Sequence, residues 1–379
     1  MDDVSDIKAS RGPSHRPSAI ITAVLLACGL AWGLWILAHA RLDRDQVSVQ
    51  AWLDGTAGAA LNKSLRLPGQ ASVEMWNAAV RYRALGDVGE QVAMGCPQWM
   101  FYRDGMRPRP GTPQTVFHDR LRLMHDWLGQ LRARGVKVMV VAVPDKARIE
   151  AAHLCGSQMS AEMLARLDAV KASLQREGVP FVDLRETLAG RDRPMFFRTD
   201  VHMNAEGARI AAAAVARAGL ALLSGKGSQQ FEVGTPAAPQ RRVGDLLTLS
   251  GLGDAPDGWR PRPDLASAQH IAPMRSGGLL DDTPPVEVML AGSSHGRRSN
   301  FAEWLGVDLG REVWNVSMDG GDFAGALTAA LRQREQWPQS LKLVIWEFSE
   351  NALSLPLSDD EKSALARLPE AKRHDTERH

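Results

Sequence analysis

The chain has 379 residues, 44% of them hydrophobic and 23% charged, with a formal net charge of +1. Most of it can bury a core, and the length allows one large domain or two. No charge asymmetry, and no basic stripe with interleaved aromatics, points to nucleic acid. The first element is an uncharged run, residues 19–38 (AIITAVLLACGLAWGLWILA), preceded by Lys8, Arg11 and Arg16 and followed by Arg41 and Arg44. A run of this length at helical rise spans roughly 30 Å, the thickness of a bilayer's hydrocarbon core. Trp32 and Trp35 stand in its second half, toward one interface. The expected layout is a cytoplasmic N-terminus at 1–18, a membrane anchor at 19–39 and an exported remainder. A cleaved signal ending at Ala38-His39-Ala40 is the alternative, and it exports the domain equally.

Residues 40–75 read as a linker and helical lead-in. Gly95 to Tyr102 reads as a turn followed by a short strand, and 108–113 as a loop. Residues 114–134 have helical apolar spacing through Val116, Leu121, Leu123, Leu128 and Leu131. Val138 to Val143 is a continuous apolar run, the mark of a strand buried on both faces. A helix at 160–176, a strand at 179–184 and an Ala-rich helix at 205–221 follow. Residues 223–285 break this rhythm with many Gly, Pro and Arg and read as an irregular insertion. Strands at 286–291, 312–316 and 342–348 then alternate with helices at 295–306 and 322–335. Strands alternating with helices predict an α/β fold with a central parallel sheet and helices on both faces. The main domain is expected at 76–356, with a charged, frayed tail at 357–379.

Two stretches carry acyl chemistry. Thr199-Asp200-Val201-His202-Met203-Asn204 puts an acid and an imidazole two residues apart. Leu290-Ala291-Gly292-Ser293-Ser294-His295 ends a strand with small residues and a serine where a helix pattern begins. Together they supply the parts of a Ser-His-Asp triad. The bland reading of the first is that Asp200 or Asn204 caps a helix. Ser293 is an alternative nucleophile, and His295 an alternative base. A Ser294 amide at a helix start favours a developing negative charge. Asn315-Val316-Ser317-Met318-Asp319-Gly320-Gly321 ends the next strand and offers a Gly320 or Gly321 amide as a second oxyanion donor. Cys28 lies in the apolar run. Cys96 and Cys155 lie in the exported part, where a bridge and two separate thiols are both open. No CxxC or His/Cys cluster suggests a metal site, and no cofactor is expected.

Three successive strand ends read Gly-Ser-Ser, then Asn-Val-Ser-Met-Asp-Gly-Gly, then Ile-Trp-Glu-Phe. They resemble the first three sequence blocks of SGNH hydrolases, and Asp200-x-His202 resembles that superfamily's final block. Here that final block precedes the serine. This order resembles the circularly permuted SGNH hydrolase-like domain of the AlgJ/AlgX-type polysaccharide O-acetyltransferases. Arg81 to Gly86, Trp99-Met100-Phe101-Tyr102, Val143-Pro144-Asp145-Lys146, Thr199-Asp200-x-His202-x-Asn204 and Val344 to Phe348 also resemble that family, so the similarity spans residues 75–352. Met203 departs from the Trp usual beside the histidine, and Ser293 from the usual Thr.

The resemblance implies a three-layer fold and acetyl transfer onto an exported bacterial exopolysaccharide of alginate or cellulose type. Ser294 is then the nucleophile, His202 the base and Asp200 its orienter. Lys146, Asn204, Trp99, Trp346 and Arg297 become candidate substrate contacts, the two tryptophans as sugar-stacking faces. The implied partners are the acceptor polymer, an integral membrane O-acyltransferase that delivers the acetyl group, and a polysaccharide synthase and secretion complex. The implied location is the bacterial inner membrane, single-pass, with the catalytic domain in the periplasm. An acetylesterase with the same triad and a non-catalytic polysaccharide-binding subunit are the competing readings.

Overall fold

The computed structural model describes residues 16–39, 48–53, 55–64, 69–275 and 284–368. The chain divides into two units, Met1–Glu74 and Met75–His379. In the first, helix Arg16–His39 carries the apolar span Ala19–Ala38, with a mean hydropathy of 2.3. It is long and apolar enough to cross a bilayer, and its large side chains, Ile20, Leu25, Leu34 and Trp35 among them, are exposed. The buried core helix of a soluble domain is built the other way round. Short helices Val49–Leu53 and Thr56–Ser64 follow. Residues 1–15 of the expected cytoplasmic segment lie outside the described residues, as does Ala40 of the signal-cleavage alternative.

The second unit is built on five parallel strands. These are β1 (Lys137–Val143), β2 (Phe181–Asp183), β3 (Val288–Ala291), β4 (Val313–Asn315) and β5 (Leu343–Ser349), in the spatial order β4-β3-β5-β1-β2. The two central strands pair along their full length, from Leu343 beside Lys137 to Ser349 beside Val143. From Val138 β1 is a continuous apolar run, and β5 is apolar from Leu343 to Phe348 but for Glu347, because helices cover both faces, as parallel sheets require. Side-chain alternation sends Val138, Val140, Val344, Trp346 and Phe348 to one core. There they meet helices α1 (Thr115–Ala133), α2 (Ala161–Arg176) and α5 (Gly325–Arg332). Met139, Val141, Val143, Leu343 and Ile345 face the other core, against α3 (Ala205–Leu222) and α4 (Phe301–Leu309). The result is the expected three-layer α/β arrangement with a central parallel sheet.

The structure corrects three expectations. First, residues 295–306 are not one helix. A four-residue 3-10 turn, Ser294–Arg297, is followed by Ser299 and Asn300 in the left-handed region (φ 56° and 57°), and α4 begins only at Phe301. Second, the insertion is ordered where described. Ribbon strands Phe231–Val233 and Ile271–Pro273 pair antiparallel, as do Gln240–Arg242 and Asp264–Ala266. A short helix, Asp245–Leu249, puts Leu246 and Leu247 into a satellite core with Ala79, Val88, Val92 and Met100. Third, the charged tail is structured as far as Leu368. Ser358 and Glu361 form a reciprocal capping box on α6 (Asp359–Arg367), and Leu368 is buried in the main core. Residues 369–379 lie outside the described residues.

Candidate active site

Asp200 and His202 stand on a narrow loop between β2 and α3. Phe196 and Met203 form an antiparallel bridge across its base, and the Phe197 amide donates to the His202 carbonyl at 3.1 Å. Three side chains hold the loop from outside. Asp264, on the insertion ribbon, accepts the Arg198 amide (3.0 Å), the Thr199 amide (2.8 Å) and the Thr199 hydroxyl (2.6 Å). Lys146 Nζ donates to the carbonyls of Met100 (2.6 Å), Arg198 (2.7 Å) and Asp200 (3.0 Å). Asn204 Oδ1 caps α3 through the Gly207 amide at 2.9 Å, and its Nδ2 donates to the Pro194 carbonyl at 2.6 Å.

The loop and the β3 end meet in a hydrogen-bonded chain. His202 Nδ1 is 2.6 Å from Asp200 Oδ1, and His202 Nε2 is 2.7 Å from Ser294 Oγ. Asp200 and His202 are buried, whereas Ser294 is only partly covered. Asp200 accepts two further donors on Oδ2, Arg242 Nη2 at 2.8 Å and the Asp245 amide at 3.3 Å. Burial alone would raise the Asp200 carboxyl. The hydrogen bonds and charge of His202, with the Arg242 guanidinium, outweigh it and hold the group far below the ordinary carboxylate range. Asp200 is therefore an anion at every working pH. A second carboxylate, Asp245 Oδ2, lies 3.4 Å from His202 Nδ1, but it is far more exposed and more distant than Asp200.

Ser294 starts the 3-10 turn after β3, where the first amides have no partner within the turn. Ser293 caps that turn: its Oγ accepts the His295 amide at 3.2 Å and donates to Glu347 Oε1 at 2.9 Å. The Ser293 amide also donates to Glu347 Oε2 at 2.7 Å. Close packing makes glycine necessary at Gly292, where a Cβ would fall 2.5 Å from Glu347 Oε2 and 2.7 Å from Ser317 Oγ. The β4 loop is tied in as well. The Met318 amide donates to the Gly292 carbonyl at 3.1 Å, and Asn315 Nδ2 donates to the Gly296 carbonyl at 2.9 Å.

Burial lifts the Glu347 carboxyl to about 7, with the Ser293 and Gly296 hydrogen bonds pulling it only partly back. Its folded value lies above its ordinary 4.5, so the stability it contributes is complete below that value and is lost as pH rises through about 7. The loss is on the order of 3 kcal/mol for a group so deeply buried. Glu347→Gln keeps an acceptor for Ser293 and cannot ionise. Urea unfolding at about pH 5 and about pH 8 should therefore show the wild type losing more stability than the variant. Parallel losses in the two proteins would mean that another group titrates.

Several expected site residues lie elsewhere. Trp346 is wholly buried beneath the sheet, its Nε1 donating to the Phe323 carbonyl at 2.9 Å, and offers no sugar-stacking face. Trp99 is buried too, stacked on His153 at 4.2 Å with Lys146 Nζ 5.0 Å from its ring. Lys146 spends its three N–H donors on the three carbonyls described above and leaves none for a substrate, while Asn204 shapes the loop through the helix cap and the Pro194 carbonyl. The Gly321 amide donates to the Met318 carbonyl at 3.1 Å within its own turn, which removes it as an oxyanion donor. Gly320, beside it, has φ 68° and an open α-carbon face. Arg297 is exposed, 3.8 Å from Asp319. Ser293 is occupied by Glu347. His295 is buried 5.0 Å from the His202 ring, and burial, with the His202 charge, keeps it well below the usual histidine range. Cys96 and Cys155 are joined as a disulfide, with a Cα–Cα distance of 5.8 Å.

Asp200, His202 and Asp245 bring ligand atoms within 4.8 Å of one another, a spacing that suits a metal ion. The Arg242 guanidinium already stands against Asp200, and a cation there would meet its repulsion. Arg242, Asp245 and Asp264 were not singled out in the sequence, whereas Glu347 stood in the Ile-Trp-Glu-Phe strand end without a role. Their partners are distant in the chain, and no local spacing marks them.

A parallel α/β sheet with a Ser-His-Asp hydrogen-bonded chain beyond its strand ends is an arrangement found in several serine hydrolase folds, SGNH hydrolase-like domains among them. The chain belongs to the family described as "SGNH hydrolase-like domain, acetyltransferase AlgX", which matches residues 92–350. It is 27% identical over 317 residues to the probable alginate O-acetylase AlgJ of Azotobacter vinelandii, covering 79% of this chain and 80% of that protein. It is 27% identical over 266 residues to the alginate biosynthesis protein AlgX of Pseudomonas putida, covering 66% of this chain and 54% of that protein. The O-acetyltransferase domain of Pseudomonas putida AlgJ shares the fold, with a TM-score of 0.60 at 22% identity over 74% of this chain and 97% of that one.

Proposed function

We propose that this chain transfers acetyl groups onto hydroxyls of an exported polysaccharide through an acetyl-serine on Ser294. The observation that carries the reading is the Asp200–His202–Ser294 hydrogen-bonded chain, joined to a family whose named relatives include probable alginate O-acetylases. His202 Nε2 takes the Ser294 proton as Oγ attacks the acetyl carbonyl. Asp200 holds the ring and balances the charge it gains. The Ser294 and Gly320 amides steady the oxyanion. Collapse breaks the bond to the donor's oxygen, which leaves with the proton from His202. An acceptor hydroxyl then gives its proton to His202 and attacks the acetyl-serine, and Ser294 Oγ leaves the second tetrahedral intermediate with that proton from His202, which regenerates both residues.

A groove of about 950 Å³ on the insertion side supports an acidic acceptor of the alginate kind over a neutral one. Arg83, Arg241, Arg260 and Arg262 line it, with Asp257 as the one acid among the lining residues. The proposed setting is the bacterial inner membrane, with helix Arg16–His39 as a single-pass anchor and the catalytic unit in the periplasm. An integral membrane O-acyltransferase supplies the acetyl group, and the polysaccharide synthase and secretion complex supplies the polymer. The test incubates the protein with an acetyl-ester donor and either oligomannuronate or cello-oligosaccharide. Acetylated oligomannuronate is the expected product by mass spectrometry. Acetate release with no acetylated sugar would replace the transferase by an esterase.

A further inference from the structure

The acid of the hydrogen-bonded chain is itself held from a part of the molecule that lies outside the sheet. Asp200 Oδ1 takes the His202 ring and the His202 amide, at 2.6 and 3.0 Å. Its Oδ2 takes Arg242 Nη2 at 2.8 Å and the Asp245 amide at 3.3 Å. Both oxygens are thus saturated, and Arg242 is the cation whose side chain bonds this carboxylate. Lys146 reaches only the Asp200 carbonyl. Arg242 is itself fixed, because its guanidinium carbon lies 5.0 Å from the Phe197 ring, within the same loop. The strand that delivers it, Gln240–Arg242, pairs with Asp264–Ala266, and Asp264 grips the loop at Arg198 and Thr199. One ribbon of the insertion therefore holds the loop's backbone with one strand and its acid with the other.

We propose that Arg242 is a positioning residue for acyl transfer, acting through Asp200 rather than on substrate. A carboxylate sealed from water carries a large desolvation cost unless a cation bonds it. Arg242 offsets that cost and pins Oδ2, which leaves Oδ1 in line with His202 Nδ1. His202 then presents Nε2 to Ser294. A guanidinium suits this work because it donates to the carboxylate while lying on an aromatic face.

The inference rests on the acyl-transfer reading, so the test separates the two. A fluorophosphonate serine probe and an acetyl-ester substrate are applied to the full-length wild type, Arg242→Gln, Arg242→Lys and Ser294→Ala. Labelling of the wild type but not of Ser294→Ala is required first; its absence would overturn the acyl-serine reading, and this inference with it. Arg242→Gln is expected to slow labelling and kcat about 30-fold at unchanged KM, less than the roughly 10²–10⁴-fold typical of the acid–base group itself, because Arg242 acts on it only through Asp200. Arg242→Lys, which keeps the charge, is expected to recover most of that loss. Full labelling and kcat in Arg242→Gln would overturn the proposal while leaving the acyl-serine intact. So would a loss in Arg242→Gln that appears as a raised KM, or one that Arg242→Lys shares in full.

Discussion

Ser294→Ala is expected to lower acetyl-ester turnover on the order of 10⁴-fold or more, with the unfolding transition unmoved. The hydroxyl is the atom that forms the bond, and its removal leaves only the binding site and amides. His202→Ala should cost a similar factor, because the ring 2.7 Å from Ser294 Oγ is the proposed proton acceptor. The Ser294→Ala/His202→Ala double variant should be little worse than either single one, since groups that act as a unit do not add. Asp200→Asn should also fall steeply. Its amide cannot replace both acceptor oxygens, and it strands the Arg242 guanidinium. The rival assignments give opposite results. If His295→Ala lost turnover while His202→Ala kept it, the base would be the buried ring next in sequence to the serine. Kinetics of the purified variants, with circular dichroism to exclude unfolding, decide the matter.

The parts of this site that sequence reveals are those whose signal is local. β1 announces itself as an unbroken apolar run from Val138, and β5 as an apolar run to Phe348 interrupted only by Glu347, because they are buried on both faces. Asp200 and His202 are legible because a two-residue spacing lets one loop present both. The Ser294 turn was harder. Residues 295–306 are composed like a helix, and the extended Arg298 with the left-handed Ser299 and Asn300 divides them. Lys146 was legible as a motif but not in its role, since three carbonyls from two segments converge on it only after folding. Arg242 and Asp264 stood in a stretch without periodicity, 42 and 65 or 66 residues from the groups they bond. No pattern of neighbours could reveal them. Trp346 and Trp99 show the converse error, because an aromatic in a family-like motif fills a core as readily as it faces a sugar.

The second large effect lies in the C-terminal helix, which fixes itself to the sheet domain through one buried pair. Arg120, on α1, is almost wholly buried and donates to both Glu361 oxygens, at 2.8 and 3.1 Å. It also donates to the carbonyls of Leu355 (2.6 Å) and Pro356 (3.0 Å), which lead into α6. Glu361 in turn accepts the Ser358 amide at 2.7 Å, so one carboxylate closes the helix cap and neutralises the guanidinium. Removing one partner of such a pair leaves the other charged and dry. Glu361→Ala should therefore cost about 3–5 kcal/mol, a fall in melting temperature on the order of 10 °C. Truncation after Ser358 should cost at least as much. The double variant Arg120→Met/Glu361→Leu should recover much of the loss, because apolar side chains of similar volume replace a buried pair at little net cost. Denaturant unfolding of the four proteins measures this directly. Stability within about 1 kcal/mol of wild type for Glu361→Ala would place the pair among exposed surface salt bridges and return the helix to the status of a loose charged tail.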